Sequence, residues 1–422
     1  LISPFFCYNC FGDNMKFVIL NDNEFMEFVN TRPEKNFFQT VMMKDRIEKE
    51  GHEVYLVGVK NDDKVVAASF IAATGHTFLG YKTFEAYKGF ILDYQDKELI
   101  RFMTEEVKKF LISKKALRLI IDPYIQNVSR DMDANQVDGV DNRHVREYLE
   151  ELGYKYNEDG AQVKWCYCLD INGKSSEELF NDFRSSTRNN INKTNSKFKL
   201  NVRTLTKEQL GEFKKVTSDT CDRREFADKS LKYYENMYDA FGDDVTFKIC
   251  EINLDTYLEV LEEEVNTFTT KIEELSDSSS NKKKKEEMRK NIENNKKKIE
   301  ETKKLKEEKG SVIPLSAAMF MLYGDEIVYL FSGSYAEYMS FCGQYRLQWE
   351  IIKYAADNGY KRYNFYGIQD VFNPKGKDYG VYEFKKGFGG YVEELLGSFI
   401  LNIGIVGKLY DTLKGIKKTI KK

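Results

Sequence analysis

The chain has 422 residues, of which 41% are hydrophobic and 14% aromatic, enough to fill two or more cores and too much for a disordered protein. Its formal net charge of -3 excludes a uniformly basic nucleic-acid binder, so an anionic partner has to be met on local clusters of lysine. Seven scattered cysteines, an odd number, suit a reducing compartment, and no run of about 18 uncharged apolar residues occurs, so we expect a cytoplasmic protein with no membrane span. Cys7 and Cys10 form a lone C-x-x-C ahead of Met15; residues 1–14 read as an appended remnant, and no metal site is expected.

From Met15 a short strand leads to helices over 23–30 and 39–50. Residues 53–59 and 65–73 read as paired strands joined by a turn at Asn61, Asp62 and Asp63. A third strand over 84–92, a helix over 96–112, a buried strand through Leu117, Leu119, Ile120 and Ile121 that stops at Asp122-Pro123, and a helix over 143–152 complete one α/β unit. Residues 169–185, a strand end and a helix, lead into a polar, basic segment with Arg188 and Lys193, which fits either phosphate contact or a solvated helix face. The same order then recurs: helices over 207–220 and 229–240, a strand over 245–251, strands over 315–322 and 327–331, a helix over 343–358 and a strand over 362–366. Two similar units in tandem are expected, over 15–165 and over 166–253 plus 311–398.

Residues 254–310 fall between the first two strands of the second unit, where a β-hairpin loop is otherwise expected. Leu254, Leu258, Leu261, Val265, Phe268, Ile272 and Leu275 recur at spacings of four and three, the heptad pattern of a helix with one narrow apolar seam. A polar break over 276–281 and a second limb with Met288, Ile292, Ile299 and Leu305 predict an antiparallel coiled-coil hairpin. The first limb is acidic and the second carries lysines such as Lys282 and Lys283, so the limbs are expected to attract each other. The tail, 399–422, places Ile403, Val406, Leu409, Tyr410 and Leu413, then Ile416 and Ile420, on one side of a helix bearing Lys408, Lys414, Lys417, Lys418, Lys421 and Lys422. It fits equally a helix lying on an anionic bilayer and one docked on the protein with a frayed basic end.

His52, His76 and His144 are the three histidines, and their spacing matches neither a zinc site nor a Ser-His-Asp arrangement. Phe384-Lys385-Lys386-Gly387-Phe388-Gly389 is a near miss for the phosphate-cradling loop of acyl-CoA N-acyltransferases, which begins with Gln or Arg. What remains is lysines, tyrosines and one carboxylate at strand ends, the material of a site that works by positioning and electrostatics.

Phe38-Gln39-Thr40, Ile121-Asp122-Pro123, the run from Arg223 through Lys229 to Tyr234, Tyr329-Leu330-Phe331-Ser332-Gly333-Ser334, Tyr363-Asn364-Phe365-Tyr366-Gly367 and Phe384-Lys385-Lys386-Gly387-Phe388 together resemble the Fem family of peptidoglycan-branching aminoacyltransferases, of the FemA, FemX, MurM and MurN type. The resemblance runs in order from Met15 to about Phe399 and includes the charged hairpin. It implies an α/β fold of two tandem GNAT-like domains, the second bearing a coiled-coil arm, and no cofactor. It also implies transfer of a small amino acid from aminoacyl-tRNA to the stem-peptide amine of a cell-wall precursor, lipid II or its UDP-linked counterpart. Through the basic tail the protein is expected to be peripheral to the inner leaflet of the membrane. By the same resemblance Lys385 is the cation at the reacting carbonyl with Lys386 as its fallback, and Asp122 is the candidate for binding or deprotonating the attacking amine. Phe384, Lys229, Tyr233, Tyr329 and Tyr366 belong to the substrate site, and Tyr233 is expected to share a helix face with Lys229. One position departs from the family: Ile47 stands where relatives have a phosphate-binding lysine, leaving Arg46, Lys44 or Lys49 to substitute. Arg188, Lys193, Lys282 and Lys283 are candidate contacts for tRNA. Two other readings stay open, an acyl-CoA-dependent N-acyltransferase and a non-catalytic adaptor at the membrane surface.

Overall fold

A computed structural model describes residues 14–420 apart from 159, 161 and 277, and the side chains of 280 and 414–420 are not described. Cys7 and Cys10, residues 1–13 and the tail side chains from Lys414 onward lie outside what is described.

Each half is built around a pair of parallel strands joined through a helix. In the first, Tyr81–Ala86 runs beside Ala116–Ile121, and the connecting helix Lys97–Ser113 starts where Asp96 accepts the Leu99 N–H at 2.9 Å. That helix buries Leu99, Ile100, Met103, Val107 and Leu111, the three-and-four spacing of one apolar face. In the second half, Glu326–Ser334 runs beside Arg362–Gly367 with Gly343–Asp357 between them. Antiparallel strands extend both pairs. Val54–Asn61 and Lys64–Ala72 meet as expected through Asp62 and Asp63, whose φ values of 46° and 66° suit a two-residue hairpin turn.

The two sheets exchange strands. Gln126–Arg130 and Gln136–Asp141, from the first half of the chain, form an edge of the second sheet next to Tyr391–Leu395. In return Ser398–Asn402 leaves the second half and sits between Ala116–Ile121 and Lys155–Asn157 in the first sheet. Neither move is predicted by the sequence. Gln136–Asp141 is exposed along its whole length and has no apolar alternation, and residues 399–402, which open the tail by composition, are a strand. The expected strand over 84–92 is shorter, ending at Ala86, because Lys88 takes a φ of 55° and turns the chain. A hydrophobic cluster spans the halves: Phe25, Phe37, Met43 and Ile47 pack with Phe213, Tyr234, Phe247 and Met319. The halves therefore share a hydrophobic cluster, beside cores of their own.

The arm is a helical hairpin, Leu254–Glu274 and Ser279–Lys309, inserted between Val245–Asn253 and Val312–Tyr323, whose ends pair at Asn253 and Val312. Its seam is buried only near the base, at Leu254, Tyr257, Leu261 and Ile299, and includes two polar positions, Asn295 and Thr302. Asn295 donates to Glu264 at 2.8 Å. Lys306 pairs with Asp255 across the limbs, whereas Lys290, Lys297, Lys303 and Lys304 pair with carboxylates of their own helix. Much of the expected attraction between limbs is thus spent within the second, which carries glutamates among its lysines.

Candidate active site

The last turn of helix Tyr379–Lys386 carries Lys385 into the interior, where it is 5% exposed. The end of strand Arg362–Gly367 faces it. Asn364 Oδ1 accepts the Tyr366 N–H at 2.7 Å, and Tyr366 adopts a φ of 62°, a left-handed conformation uncommon for a tyrosine. The backbone so turned gives Lys385 Nζ two acceptors, the Gly367 carbonyl at 2.6 Å and the Tyr366 carbonyl at 3.4 Å. The Tyr329 ring lies 5.9 Å from the same nitrogen, and its hydroxyl is held by Ser332 Oγ at 2.6 Å and Gln344 Oε1 at 3.1 Å. Burial pushes the Lys385 ammonium down to about 7, and no carboxylate among the described residues pairs with it. Near neutrality this side chain exists both as amine and as ammonium. Burial drives the Tyr329 phenol up to about 12, so it stays a neutral hydrogen-bonding group.

Asp122 directly follows strand Ala116–Ile121 in the first half and is 4% exposed. Its partner, unmarked by any sequence pattern, is Lys88, itself 2% exposed. Lys88 donates its backbone N–H to Asp122 Oδ1 at 3.1 Å and sets its ammonium 3.2 Å from Oδ2, out of hydrogen-bond alignment. The ammonium also donates to the Val163 carbonyl at 3.3 Å and lies 5.8 Å from the Tyr124 ring. Burial raises the Asp122 carboxyl to about 6, the lysine's charge working against the shift. Tyr124 has its hydroxyl 3.1 Å from Glu326 and within 2.6 Å of Arg362, beside a cleft of about 630 Å³.

The third element is cationic. Arg46 and Lys229 both lie 5.2 Å from the centre of the Tyr233 ring. Arg46 is anchored by Glu50 at 2.7 Å, which Asn236 also holds at 3.1 Å. Of the three expected substitutes for the family lysine, Arg46 is the one placed here: Lys44 pairs with Asp22 at 2.7 Å, Lys49 is exposed, and Ile47 is core. Lys229 and Tyr233 meet, but not on a shared helix face. The helix is Leu231–Phe241, with Ser230 as its cap accepting the Tyr233 N–H, so Lys229 reaches the ring from outside it.

Tyr366 ties these groups together. Its side chain packs both with the inter-half cluster that includes Tyr233 and with the one that includes Tyr124 and Val163, and its carbonyl accepts from Lys385. Burial raises its phenol well above the usual range, and Asp122 and Tyr233 push the same way.

The other predicted residues stand apart. Lys386 pairs with Asp133 and with Glu383 at 3.6 Å. Phe384 packs on Tyr345 and Phe388 at 5.0 and 5.4 Å. Arg188 donates to the carbonyls of Asn181 and Phe183, closing the end of helix Ser176–Asp182. Lys193 is exposed on helix Ser185–Ser196, and Lys282 and Lys283 are exposed on the arm. The glycine-rich run does not offer its amides to a phosphate: the N–H groups of Gly387, Phe388 and Gly389 donate to carbonyls of the helix before them. Gly390 is required by packing, since a Cβ there would lie 2.1 Å from the Cys168 carbonyl oxygen.

The FemAB family profile matches residues 20–418. Aminoacyltransferase FemA of Staphylococcus aureus (strain bovine RF122 / ET3-1) is 31% identical over 420 residues, covering 96% of this chain and all of that protein. A crystal structure of FemX superposes with a TM-score of 0.71 at 23% identity, covering 94% of this chain and 99% of that one. A tandem GNAT protein from the clavulanic acid biosynthesis pathway superposes with a TM-score of 0.51 at 8% identity, covering 92% and 99%. The fold is thus the tandem GNAT-like one that the sequence predicts, and the chain belongs to the FemAB family.

Proposed function

We propose that this chain is an aminoacyltransferase that moves a small amino acid, glycine, alanine or serine, from aminoacyl-tRNA to the stem-peptide amine of a peptidoglycan precursor, lipid II. The observation that carries this reading is Lys385, a buried lysine with two carbonyls at the end of strand Arg362–Gly367 for partners and no carboxylate among the described residues.

The reaction needs no nucleophile from the protein. The acceptor amine attacks the ester carbonyl, a C–N bond forms, the C–O bond to the ribose breaks, and one proton passes from the amine to the leaving oxygen. A lysine-type amine has a free pKa of about 10.4, so it reacts only once deprotonated. In its ammonium form Lys385 stabilises the oxyanion of the tetrahedral intermediate, and its pKa near 7 also lets it move the proton. Asp122, held by Lys88, lies on the acceptor side and binds the incoming ammonium. Arg46 and Lys229, flanking Tyr233, take the diphosphate of the precursor; a UDP-linked precursor carries the same group. Lys193, Lys282 and Lys283 are exposed cations open to tRNA phosphates. Among the described residues no helix is long and apolar enough to cross a membrane, so a lipid-linked substrate is met from the membrane surface. The internally satisfied amides of the glycine-rich run weigh against an acyl-CoA donor.

The test is to incubate the protein with glycyl-, alanyl- and seryl-tRNA and lipid II and to look for an amide-linked product by mass spectrometry. One charged tRNA supporting product is the expected result. No product with any of them, together with thermal stabilisation by coenzyme A and not by tRNA, overturns it.

A further inference from the structure

An amphipathic helix on a globular protein normally turns its apolar stripe inward. Helix Gly404–Ile420, over its described side chains, leaves an apolar stripe outside. It docks through Gly407, where a Cβ would lie 2.1 Å from the Leu117 carbonyl oxygen, and through Tyr410, whose ring lies 5.0 Å from Phe78 and 6.2 Å from His76, with Arg118 5.7 Å away. Asp411 pairs with Lys155. The side left in solvent carries Ile405, Leu409 and Leu413, which are 78%, 58% and 57% exposed and follow one another at four-residue steps.

A second exposed apolar residue stands beside this stripe. Thr77–Phe78 and Tyr81–Ala86 form a hairpin in which Phe78 pairs with Tyr81, so the loop is Leu79-Gly80 alone. Its φ values, 48° and 78°, are those of a turn that favours Asn-Gly. A leucine here carries the steric cost of a left-handed backbone, yet its side chain is 79% exposed and gains no burial from the fold. Phe78, its neighbour, touches Tyr410, the neighbour of Leu409. The rim is basic: Lys408 and Lys115 are exposed, and Arg118 faces the Tyr410 ring.

We propose that Leu79 and the Ile405–Leu409–Leu413 stripe form a two-point docking surface for an anionic lipid bilayer, with the leucines entering the headgroup boundary and the rim cations meeting lipid phosphates. The surface deepens the reading of a lipid-linked acceptor. Lys82 pairs with Ala116 at the end of the parallel strands nearest the Leu79 turn, whereas Asp122 follows Ile121 at the far end. A six-residue strand at about 3.3 Å per residue puts the acceptor side roughly 20 Å from this surface.

The experiment is flotation of the full chain with vesicles of phosphatidylcholine alone and of phosphatidylcholine with one quarter phosphatidylglycerol, both free of peptidoglycan precursor. The chain is expected to float with the anionic vesicles and to lose that binding as salt rises. The triple variant Leu79→Asn, Ile405→Gln, Leu409→Gln should bind them at least about tenfold more weakly, since three apolar side chains that enter the headgroup boundary are replaced by polar ones. Leu79→Asn alone fits the turn and keeps the fold testable. Equal binding to both vesicle types, unchanged binding by the triple variant, or a dimer in solution that the triple variant abolishes would each overturn the proposal. Transfer to a water-soluble UDP-linked acceptor should be unaffected by the triple variant. Absence of transfer to lipid II by the unmodified chain would count against the proposed reaction and leave the bilayer surface standing.

Discussion

The two halves each bury a lysine beside the strand that follows the connecting helix, and they treat it differently. In the first half Lys88 faces a carboxylate, Asp122, which takes its backbone N–H and lies 3.2 Å from its ammonium. In the second, Lys385 faces two neutral carbonyls. Desolvation disfavours a buried charge unless an opposite one offsets it. One lysine therefore anchors a carboxylate, while the other is left near 7, poised to gain or lose a proton. Similar frames have produced a lysine paired with a carboxylate and a lysine without one, and the chemistry is expected on the second.

The largest effect should come from Lys385. Lys385→Met removes the cation at the reacting carbonyl, and kcat should fall roughly 100- to 1,000-fold with little change in acceptor KM, measured by steady-state transfer kinetics. Equal loss through KM would make Lys385 a binding residue and erase the contrast with Lys88. The first half should fail in a different way. Lys88→Met leaves Asp122 buried without its partner and should cost about 3–5 kcal/mol of stability in a denaturant titration, much of which the double variant with Asp122→Asn recovers.

The pH dependence separates the two lysine sites by sign. Lys385 has its folded pKa depressed from 10.5 to about 7, so its contribution to stability is complete above 10.5 and is lost as pH falls toward 7. Asp122 has its pKa raised from 3.8 to about 6, so its contribution is complete below 3.8 and is lost as pH rises through 6. Stability of the wild-type chain relative to Lys385→Met should therefore climb between about pH 7 and 10. Relative to Asp122→Asn it should decline between about pH 4 and 6. A flat difference in either window would break the corresponding assignment. In kinetics, an ammonium-dependent rate falls above about 7, and this limb should move to higher pH in Lys385→Arg, whose guanidinium stays protonated.

This contrast was half legible in the sequence. The parallel strands, their connecting helices and the arm follow from apolar periodicity and turn residues, as at Asp62-Asp63, because those signals are local. Lys385 and Asp122 came from motif resemblance, and their surroundings did not. Lys88 has no pattern of its own: it becomes significant only because the chain turns at a positive φ and sets it against a residue 34 positions on. The strand exchange was equally hidden. Ser398–Asn402 finds partners far back in the chain, and Gln126–Arg130 and Gln136–Asp141 are too polar to announce strands. Position-specific binding effects should fall between the lysine extremes: Arg46→Ala or Lys229→Ala should raise acceptor KM about tenfold and leave kcat nearly unchanged, each removing one charged contact worth roughly 1.5 kcal/mol.

The smallest effect is expected on the arm, where charge is plentiful but poorly placed. Lys290, Lys297, Lys303 and Lys304 are engaged by glutamates of their own helix, so the field of the second limb is partly cancelled. Lys282 and Lys283 lie at the start of that limb, are exposed, and are followed by two further lysines. If transfer RNA reaches the arm, each lysine that neutralises a phosphate steepens the dependence of log affinity on log salt by about one unit. Lys282→Gln with Lys283→Gln should then flatten that slope and leave kcat unchanged, because the arm carries none of the groups around Lys385. An unchanged slope would remove the arm from the donor path and confine donor recognition to the body, with Lys193 as the next cation to replace.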